Sequence, residues 1–396
     1  MTTTHGCREF EALIGHPADQ ALHRIGQQSP QMHRWLLEGA FAGPLSDPRL
    51  SRRDREIATV AILAALGTEP QLRVHLQAAL RQGVTSEELR ALSEHASVYI
   101  GFPRALNALA VTDEVLSEAG HRPAVPVHRV RLGDHITDVA EVNGMDTTTG
   151  AGGTGGAAVV LVHALGLDWR MWKPIIHALA RGRRVLAYDI RGHGAAVDAP
   201  PPAHVDLLAD DLHQLLEREG LPSAHIVGLS YGGAIAQAFA VRHPDAVESL
   251  TLAATTNHPF DSFEARAAAV ERDGTAAQVA PSLTRWFTPS ALAENIPGVR
   301  YARECVLRGD PAQVAAAWRA FLELATADQL PRLTKPTLVL AGELDASTTP
   351  EVMKSIAASV PGAQYVEMPG APHMPTLERP DLVVEALDRF LPRSAS

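Results

Sequence analysis

Three side-chain types in this chain could together cleave an acyl bond: a serine hydroxyl, an imidazole and a carboxylate. Gly228-Leu229-Ser230-Tyr231-Gly232 has the spacing Gly-x-Ser-x-Gly and lies where an apolar run gives way to a helical pattern. A serine on such a strand-to-helix turn points out of the sheet, and a side chain at either glycine would crowd the turn. At ordinary glycine and serine frequencies the bare pattern arises by chance in roughly one chain in ten of this length, so its surroundings must carry the argument. Asp345 follows the apolar run Thr337 to Ala341, and His373 is the single histidine beyond it, in the loop Pro369-Gly-Ala-Pro-His373. A serine hydroxyl is a weak nucleophile until an imidazole takes its proton, and a carboxylate fixes the tautomer of that imidazole. The expected roles are therefore Ser230 as nucleophile, His373 as base and Asp345 as its orienting acid, with Glu343 the rival carboxylate. Charge developing on the carbonyl oxygen needs preorganised donors, assigned to the backbone N–H groups of Tyr231 and of Leu165 in the loop His163-Ala-Leu-Gly166. His163 and His193 read as structural, the remaining histidines lack metal-ligand spacing, and neither a metal nor a cofactor is expected.

These residues need a scaffold that brings three distant loops together. Short apolar runs, Ala158 to Val162, Val185 to Tyr188, His225 to Gly228, Ser249 to Ala253 and Thr337 to Ala341, alternate with helical segments, which implies a parallel sheet covered by helices on both faces. Loops after such strands share the carboxyl edge of the sheet, so Ser230, Asp345 and His373 can converge there. A period of two over Val127 to Leu132 and Ile136 to Val142, broken by Gly133-Asp134, predicts a hairpin. The stretch Gly150 to Gly156 reads as a loop inside the same domain. From about 257 to 333 the alternation stops and the sequence turns helical, as expected of a lid over the strand ends; Trp286 and Trp318 lie there and could line a pocket with Tyr231.

Ahead of this, Glu11 to Glu118 is helical throughout. Thr85 with Glu88 forms a capping-box signature that starts a helix over Ser86 to Tyr99, and a second helix is expected from Arg52 to Leu66, ended by Gly67. A chain of 396 residues exceeds what one core usually organises, and the change of period puts the boundary near 123: an all-α domain over 1–122 and an α/β domain over 123–396. The net charge of −10, without a Lys/Arg-rich run to offset it, argues against nucleic acid or an anionic membrane as partner. An anionic substrate would have to be met by individually placed arginines. The first ten residues lack the apolar stretch of a signal peptide, so a cytoplasmic protein is expected; Cys7 and Cys305 are too few for a disulfide framework.

The segments Ala164-Leu-Gly-Leu-Asp-Trp-Arg-Met-Trp172, Tyr188-Asp-Ile-Arg-Gly-His-Gly194, Arg285-Trp-Phe-Thr288 and Gly342-Glu-Leu-Asp-Ala-Ser-Thr-Thr-Pro350 resemble 3-oxoadipate enol-lactone hydrolases, which are α/β-hydrolases. That resemblance implies a serine hydrolase that opens an ester or lactone, and it puts the family's serine, acid and histidine on Ser230, Asp345 and His373. The N-terminal segments Leu50-Ser-Arg-Arg-Asp-Arg55, Gln71-Leu-Arg-Val-His75, Gly83-Val-Thr-Ser-Glu-Glu-Leu89 and Tyr99-Ile-Gly-Phe-Pro103 resemble the carboxymuconolactone decarboxylase family. This second resemblance implies two consecutive steps of aromatic-acid breakdown in one chain, a homo-oligomer assembled through the helical domain, and His75 as the proton donor after carbon dioxide departs. Gln71 stands where the decarboxylases have a glutamate. Arg55, with Arg73 and Arg104 as alternatives, is the expected carboxylate contact in that domain. Two further readings remain open: an esterase, lactonase or C–C bond hydrolase of specialised metabolism with a non-catalytic N-terminal domain, and a ligand-binding protein that keeps the fold.

Overall fold

Whether a segment becomes strand or helix here follows its length, period and flanks: the strands are five to nine residues long and bounded by turn formers, and longer three- and four-residue periodicities are helices. The computed structural model describes residues 2–121, 123–144 and 157–392, and the expected loop over Gly150 to Gly156 lies outside them. Two units emerge, Met1–Ala124 and Val125–Ser396, each with its own core.

The first unit is helical. Its main helices are Thr2–Ile14, Arg52–Leu66, Glu69–Arg81, Ser86–Ile100 and Phe102–Glu118. Their ends follow local chemistry. The Ser51 hydroxyl accepts the Asp54 N–H at the start of the Arg52 helix, and Gly67, at φ 70°, ends it in a left-handed conformation that a side chain would strain. Both halves of the Thr85–Glu88 capping box are present, at 3.1 and 2.8 Å. Leu72, Leu76, Leu89, Val115 and Leu116 fill the space between these helices, each buried leucine or valine contributing about 1.5–3 kcal/mol relative to exposure.

The second unit is an eight-stranded sheet. Its strands are β1 (Val127–Leu132), β2 (His135–Asn143), β3 (Ala158–Val162), β4 (Arg184–Tyr188), β5 (Ala224–Leu229), β6 (Val247–Ala253), β7 (Thr337–Gly342) and β8 (Gln364–Met368), in the spatial order β1-β2-β4-β3-β5-β6-β7-β8. β1 and β2 form the expected hairpin, β2 meets β4 antiparallel, and every later pairing is parallel. β3, β5 and β7 are buried along their whole length, as strands covered on both faces must be. β8 is an edge strand with mostly exposed side chains and no apolar run, which is why periodicity does not announce it.

Between β6 and β7 the chain leaves the sheet for the helices Ser262–Ala277, Val279–Trp286, Pro289–Glu294, Pro297–Arg308 and Pro311–Leu322. An aromatic cluster ties the first to the last: the Phe263 ring lies 4.5 Å from Phe321 and 5.1 Å from Trp318. A backbone bond from Met374 N–H to the Trp286 carbonyl, 3.1 Å, joins this helical insertion to the loop after β8. Among the described residues no helix is long and apolar enough to cross a membrane.

Candidate active site

β5 ends at Leu229 and the chain reverses into the Tyr231–Arg242 helix through Ser230, held at φ 56° and ψ −114°. A non-glycine residue in that region costs of order 1–3 kcal/mol and persists only where the surroundings fix it. Here they do so: Ser230 N–H donates to the Ala253 carbonyl at 2.9 Å, and its carbonyl accepts the Thr255 hydroxyl at 2.6 Å and the Gly233 N–H at 2.9 Å. The glycines are steric necessities. A Cβ on Gly228 would sit 2.2 Å from the Gly232 carbonyl oxygen, and one on Gly232 would sit 2.1 Å from that of Val162.

The three expected side chains meet. His373 Nε2 lies 3.1 Å from Ser230 Oγ, and His373 Nδ1 lies 2.8 Å from Asp345 Oδ2. Asp345 also accepts the Ser347 and Thr348 N–H groups on Oδ1, at 2.7 and 3.0 Å, and the Thr348 hydroxyl on Oδ2 at 2.8 Å. Burial alone would push the Asp345 carboxyl up, but the facing His373 ring and the bonds from His373 and Thr348 outweigh it and hold the group below the usual range. An ionised Asp345 accepting from Nδ1–H leaves Nε2 with its lone pair toward the serine. Glu343, the rival acid, is exposed and accepts the Gly370 N–H at 2.7 Å. Among the described residues the Leu165 and Tyr231 N–H groups have no hydrogen-bond partner, and Leu165 lines the cavity that holds Ser230 and His373.

That cavity is also lined by Trp286 and Trp318, but not by the Tyr231 side chain, which is fully buried against Phe321 at 5.0 Å between ring centres. Three contributors were not legible in the sequence. Thr348 braces Asp345, and Arg266 and Arg285, from two different helices of the insertion, both line the cavity. The Arg266 guanidinium lies over the Trp318 ring at 4.9 Å, and Arg285 Nη2 donates weakly to Ser282 Oγ at 3.4 Å. Among the described residues neither has a carboxylate within ion-pair reach. Burial, and after it the charge of Arg266, push Arg285 down to about 10.

His163 and His193 are structural in their contacts. His163 Nδ1 donates to the Ala164 carbonyl and Nε2 accepts the Ile190 N–H at 2.8 Å, so only the neutral ring fits, and burial pushes it down to about 3. His128, Glu141 and Glu219 bring ligand-type atoms together, but Arg184 already bonds both carboxylates, so the group reads as an ion-pair network.

In the helical unit His75 Nδ1 lies 2.9 Å from Glu56 Oε2. Glu56 is completely buried and its Oε1 has no partner among the described residues, whereas Gln71 is exposed. Arg55 does not do what the sequence led us to expect. It is buried, and its guanidinium donates to the carbonyls of Leu45, Asp47 and Leu50, clamping the loop ahead of its own helix rather than waiting for a substrate. Arg73 pairs with Glu114 and Glu118, and Arg104 donates to the Ala65 carbonyl.

Comparison with known proteins fits this geometry. The model of the alpha/beta hydrolase fold family matches residues 157–380, and that of the carboxymuconolactone decarboxylase family matches 30–114. The chain belongs to the α/β-hydrolase family, with an N-terminal unit of the decarboxylase family. Over 239 residues, 59% of this chain and 88% of the relative, this α/β-hydrolase is 30% identical to 3-oxoadipate enol-lactonase 1 of Acinetobacter baylyi. Over 113 residues, 28% of this chain and 84% of the relative, it is 33% identical to 4-carboxymuconolactone decarboxylase of the same organism. Among solved structures, the enol-lactonase from Burkholderia xenovorans superposes with a TM-score of 0.60 at 27% identity, covering 66% of this chain and 99% of that one.

Proposed function

We propose that the C-terminal unit hydrolyses 3-oxoadipate enol-lactone and that the N-terminal unit supplies it by decarboxylating 4-carboxymuconolactone. The observation that carries the first half is the arginine pair. Two neighbouring like charges, half-buried and, among the described residues, without a carboxylate to offset them, are poorly placed unless an anion joins them. Arg266 and Arg285 share one cavity with Ser230, so the anion belongs on the molecule whose acyl group reacts, and an enol-lactone with a carboxylate side arm has that form.

In this reading His373 Nε2 takes the Ser230 proton as Oγ adds to the lactone carbonyl. The Leu165 and Tyr231 N–H groups receive the oxyanion. Collapse breaks the ring C–O bond, and His373 returns its proton to the departing enol oxygen, which stays attached to the acyl chain and tautomerises to a ketone. Water, activated by the same imidazole, then releases the dicarboxylate and restores the serine. We assign the insertion over about 257–333 the part of a lid that brings the arginines over the strand ends.

For the N-terminal unit, Glu56 supports the decarboxylase reading. It offers the Nδ1 partner that the exposed Gln71 cannot, leaving His75 Nε2 to protonate the carbanion-like centre. We propose self-association through this unit as well, because Val98, Tyr99, Phe102 and Leu106 are 61–80% exposed on adjoining helices, an apolar face that a monomer in water would not be expected to keep. Light scattering of the full chain tests that. A cytoplasmic location, where Cys7 and Cys305 would stay reduced as free thiols, completes the proposal and is tested by cell fractionation.

The functional test gives purified protein 4-carboxymuconolactone and follows carbon dioxide, enol-lactone and 3-oxoadipate separately. Carbon dioxide followed by 3-oxoadipate supports both halves. Conversion of supplied enol-lactone without carbon dioxide release limits the reading to the hydrolase, and failure to open the enol-lactone refutes it.

A further inference from the structure

Adjoining the pocket around Ser230 is a slot of about 40 Å3, which shares Leu165, Arg266, Arg285, Trp286 and Trp318 with it. Its course follows from the helices that wall it. Gln278, Ser282 and Arg285 line it at i, i+4 and i+7, one face of the Val279–Trp286 helix and its N-cap, whereas the pocket meets that helix at Arg285 and Trp286. At about 1.5 Å per residue the slot therefore runs roughly 10 Å from Arg285 back to Gln278. Arg266, Val270 and Thr275 line it from the preceding Ser262–Ala277 helix. The arginines thus stand at the mouth, beside Ser230, and the far end lies where the two helices join.

The slot offers donors and apolar surface and, among the described residues, no carboxylate. The Thr275 hydroxyl and the Gln278 carboxamide have no hydrogen-bond partner among the described residues, yet their polar atoms keep accessible surface, as do those of Arg266 and Arg285. Arg285 Nη2 lies 3.4 Å from Ser282 Oγ, so its charge extends one turn into the slot. Val270, Val306 and Val314 supply the walls between these polar points. Gly309 keeps the far end open. Its backbone, at φ −58° and ψ 139°, suits any residue, so no turn demands the glycine. A Cβ there would stand 3.4 Å from Val314 Cγ2 and 3.6 Å from Thr275 Cγ2, between two walls of the slot.

We propose that this slot is an acyl-chain site and that the hydrolase unit also cleaves acyclic monoesters of linear dicarboxylic acids longer than six carbons. The inference rests on Ser230 as nucleophile and on the arginine pair as the carboxylate contact. Opening the enol-lactone leaves a six-carbon acyl chain with its carboxylate at the far end. At about 10–15 Å3 for each water-sized group the slot has room for about three more, which sets the preferred acid at about eight or nine carbons. The ester carbonyl lies at Ser230, the methylenes run between the valines, and the carboxylate ends beside Ser282 and Gln278, within reach of Arg285. The alcohol part stays on the Ser230 side and never enters the slot. Ser230 Oγ bonds to the acyl carbon, the ester C–O bond breaks, and the proton held on His373 passes to the departing alkoxide. Water then adds to the acyl carbon, the bond to Ser230 breaks, and the dicarboxylate leaves.

The test measures kcat/KM of the full chain for the monomethyl esters of linear dicarboxylic acids from four to ten carbons, with the enol-lactone as reference. Rates should climb about fourfold per added methylene, the worth of burying one, to an optimum near eight or nine carbons, and fall beyond it. At the optimum, replacing the far carboxylate by a carboxamide should cost about tenfold or more. Gly309→Leu fills the far end and should move the optimum to six carbons or fewer. Should that variant fail to fold, Gln278→Leu keeps the volume, removes the donor and should lower the rate on the long monoesters relative to the six-carbon one. The absence of an optimum beyond six carbons, or a long-chain preference that survives both substitutions, overturns the proposal. Labelling with a fluorophosphonate separates the two ways of failing. If Ser230 is labelled and the enol-lactone is opened but long monoesters are not preferred, the slot assignment alone falls; if Ser230 is not labelled and neither substrate is cleaved, the functional reading falls and the slot proposal with it.

Discussion

Replacing Arg285 by methionine keeps most of the apolar stem and removes the charge. If the arginine pair holds the substrate carboxylate, the variant loses a charge-assisted hydrogen bond, about 1.5–3 kcal/mol. At about 1.36 kcal/mol per decade that is roughly a 10- to 150-fold fall in kcat/KM for the anionic enol-lactone. The methyl ester of its side arm carries no charge and should be opened almost equally well by both proteins. Stability should move the other way or not at all, because the substitution separates neither partner of an ion pair and relieves the repulsion that Arg266 exerts on Arg285. The loss should also soften at high salt, since screening weakens the attraction in the parent protein. The assay is the initial rate of enol-lactone loss for both substrates, with urea unfolding run in parallel. Equal falls on the charged and neutral substrates, or a fall that tracks lost stability, would refute the reasoning.

Four further outcomes are expected. Asp345→Asn should leave the fold intact and cut kcat by about four orders of magnitude, since an amide facing Nδ1 favours the wrong tautomer; a loss below tenfold would point to another acid. Gly232→Ala should yield little folded hydrolase unit, because its Cβ would meet the Val162 carbonyl at 2.1 Å; normal yield and melting would contradict that geometry. His163 has a folded pKa depressed to about 3, so the stability it confers is present above its unfolded value near 6.5 and is lost as pH falls below that, by up to about 1.4 kcal/mol per pH unit. The stability gap between the parent and His163→Gln, read by urea unfolding, should therefore narrow from pH 7.5 to 4.5, and a constant gap would show that the ring is not held neutral. Glu56→Gln should lower carbon dioxide release from 4-carboxymuconolactone without changing enol-lactone opening, and an unchanged release would remove Glu56 from the decarboxylation reading.

Legibility in the sequence followed the strength of the local constraint. Ser230 could be found because its turn demands glycine on both sides, and His373 because no other histidine follows Asp345. The buried strands were visible as apolar runs, whereas β8 was not, since an edge strand carries polar side chains. Arg266 and Arg285 sit on separate helices, where an arginine ordinarily means a solvated face, and only the packing of the insertion brings them to one cavity. Arg55 failed in the opposite direction: its carbonyl partners lie in an irregular loop whose path no periodicity reports. Glu56 escaped notice because it pairs with His75 across two helices, nineteen positions apart, a spacing that belongs to no single-helix face.

The single bond from Met374 N–H to the Trp286 carbonyl has an effect out of proportion to its size. Met374 follows His373 in the chain, and Trp286 ends a helix that carries Arg285 and walls the pocket around Ser230. Moving that helix aside far enough to admit a molecule would pull on the backbone that aims His373 at Ser230. An open enzyme would then be a disarmed one, with its base out of line until a guest that satisfies the arginines draws the helix back. Bystander esters that drift into the open cleft would meet a serine with no proton acceptor, and selectivity would be exercised before any bond is attacked.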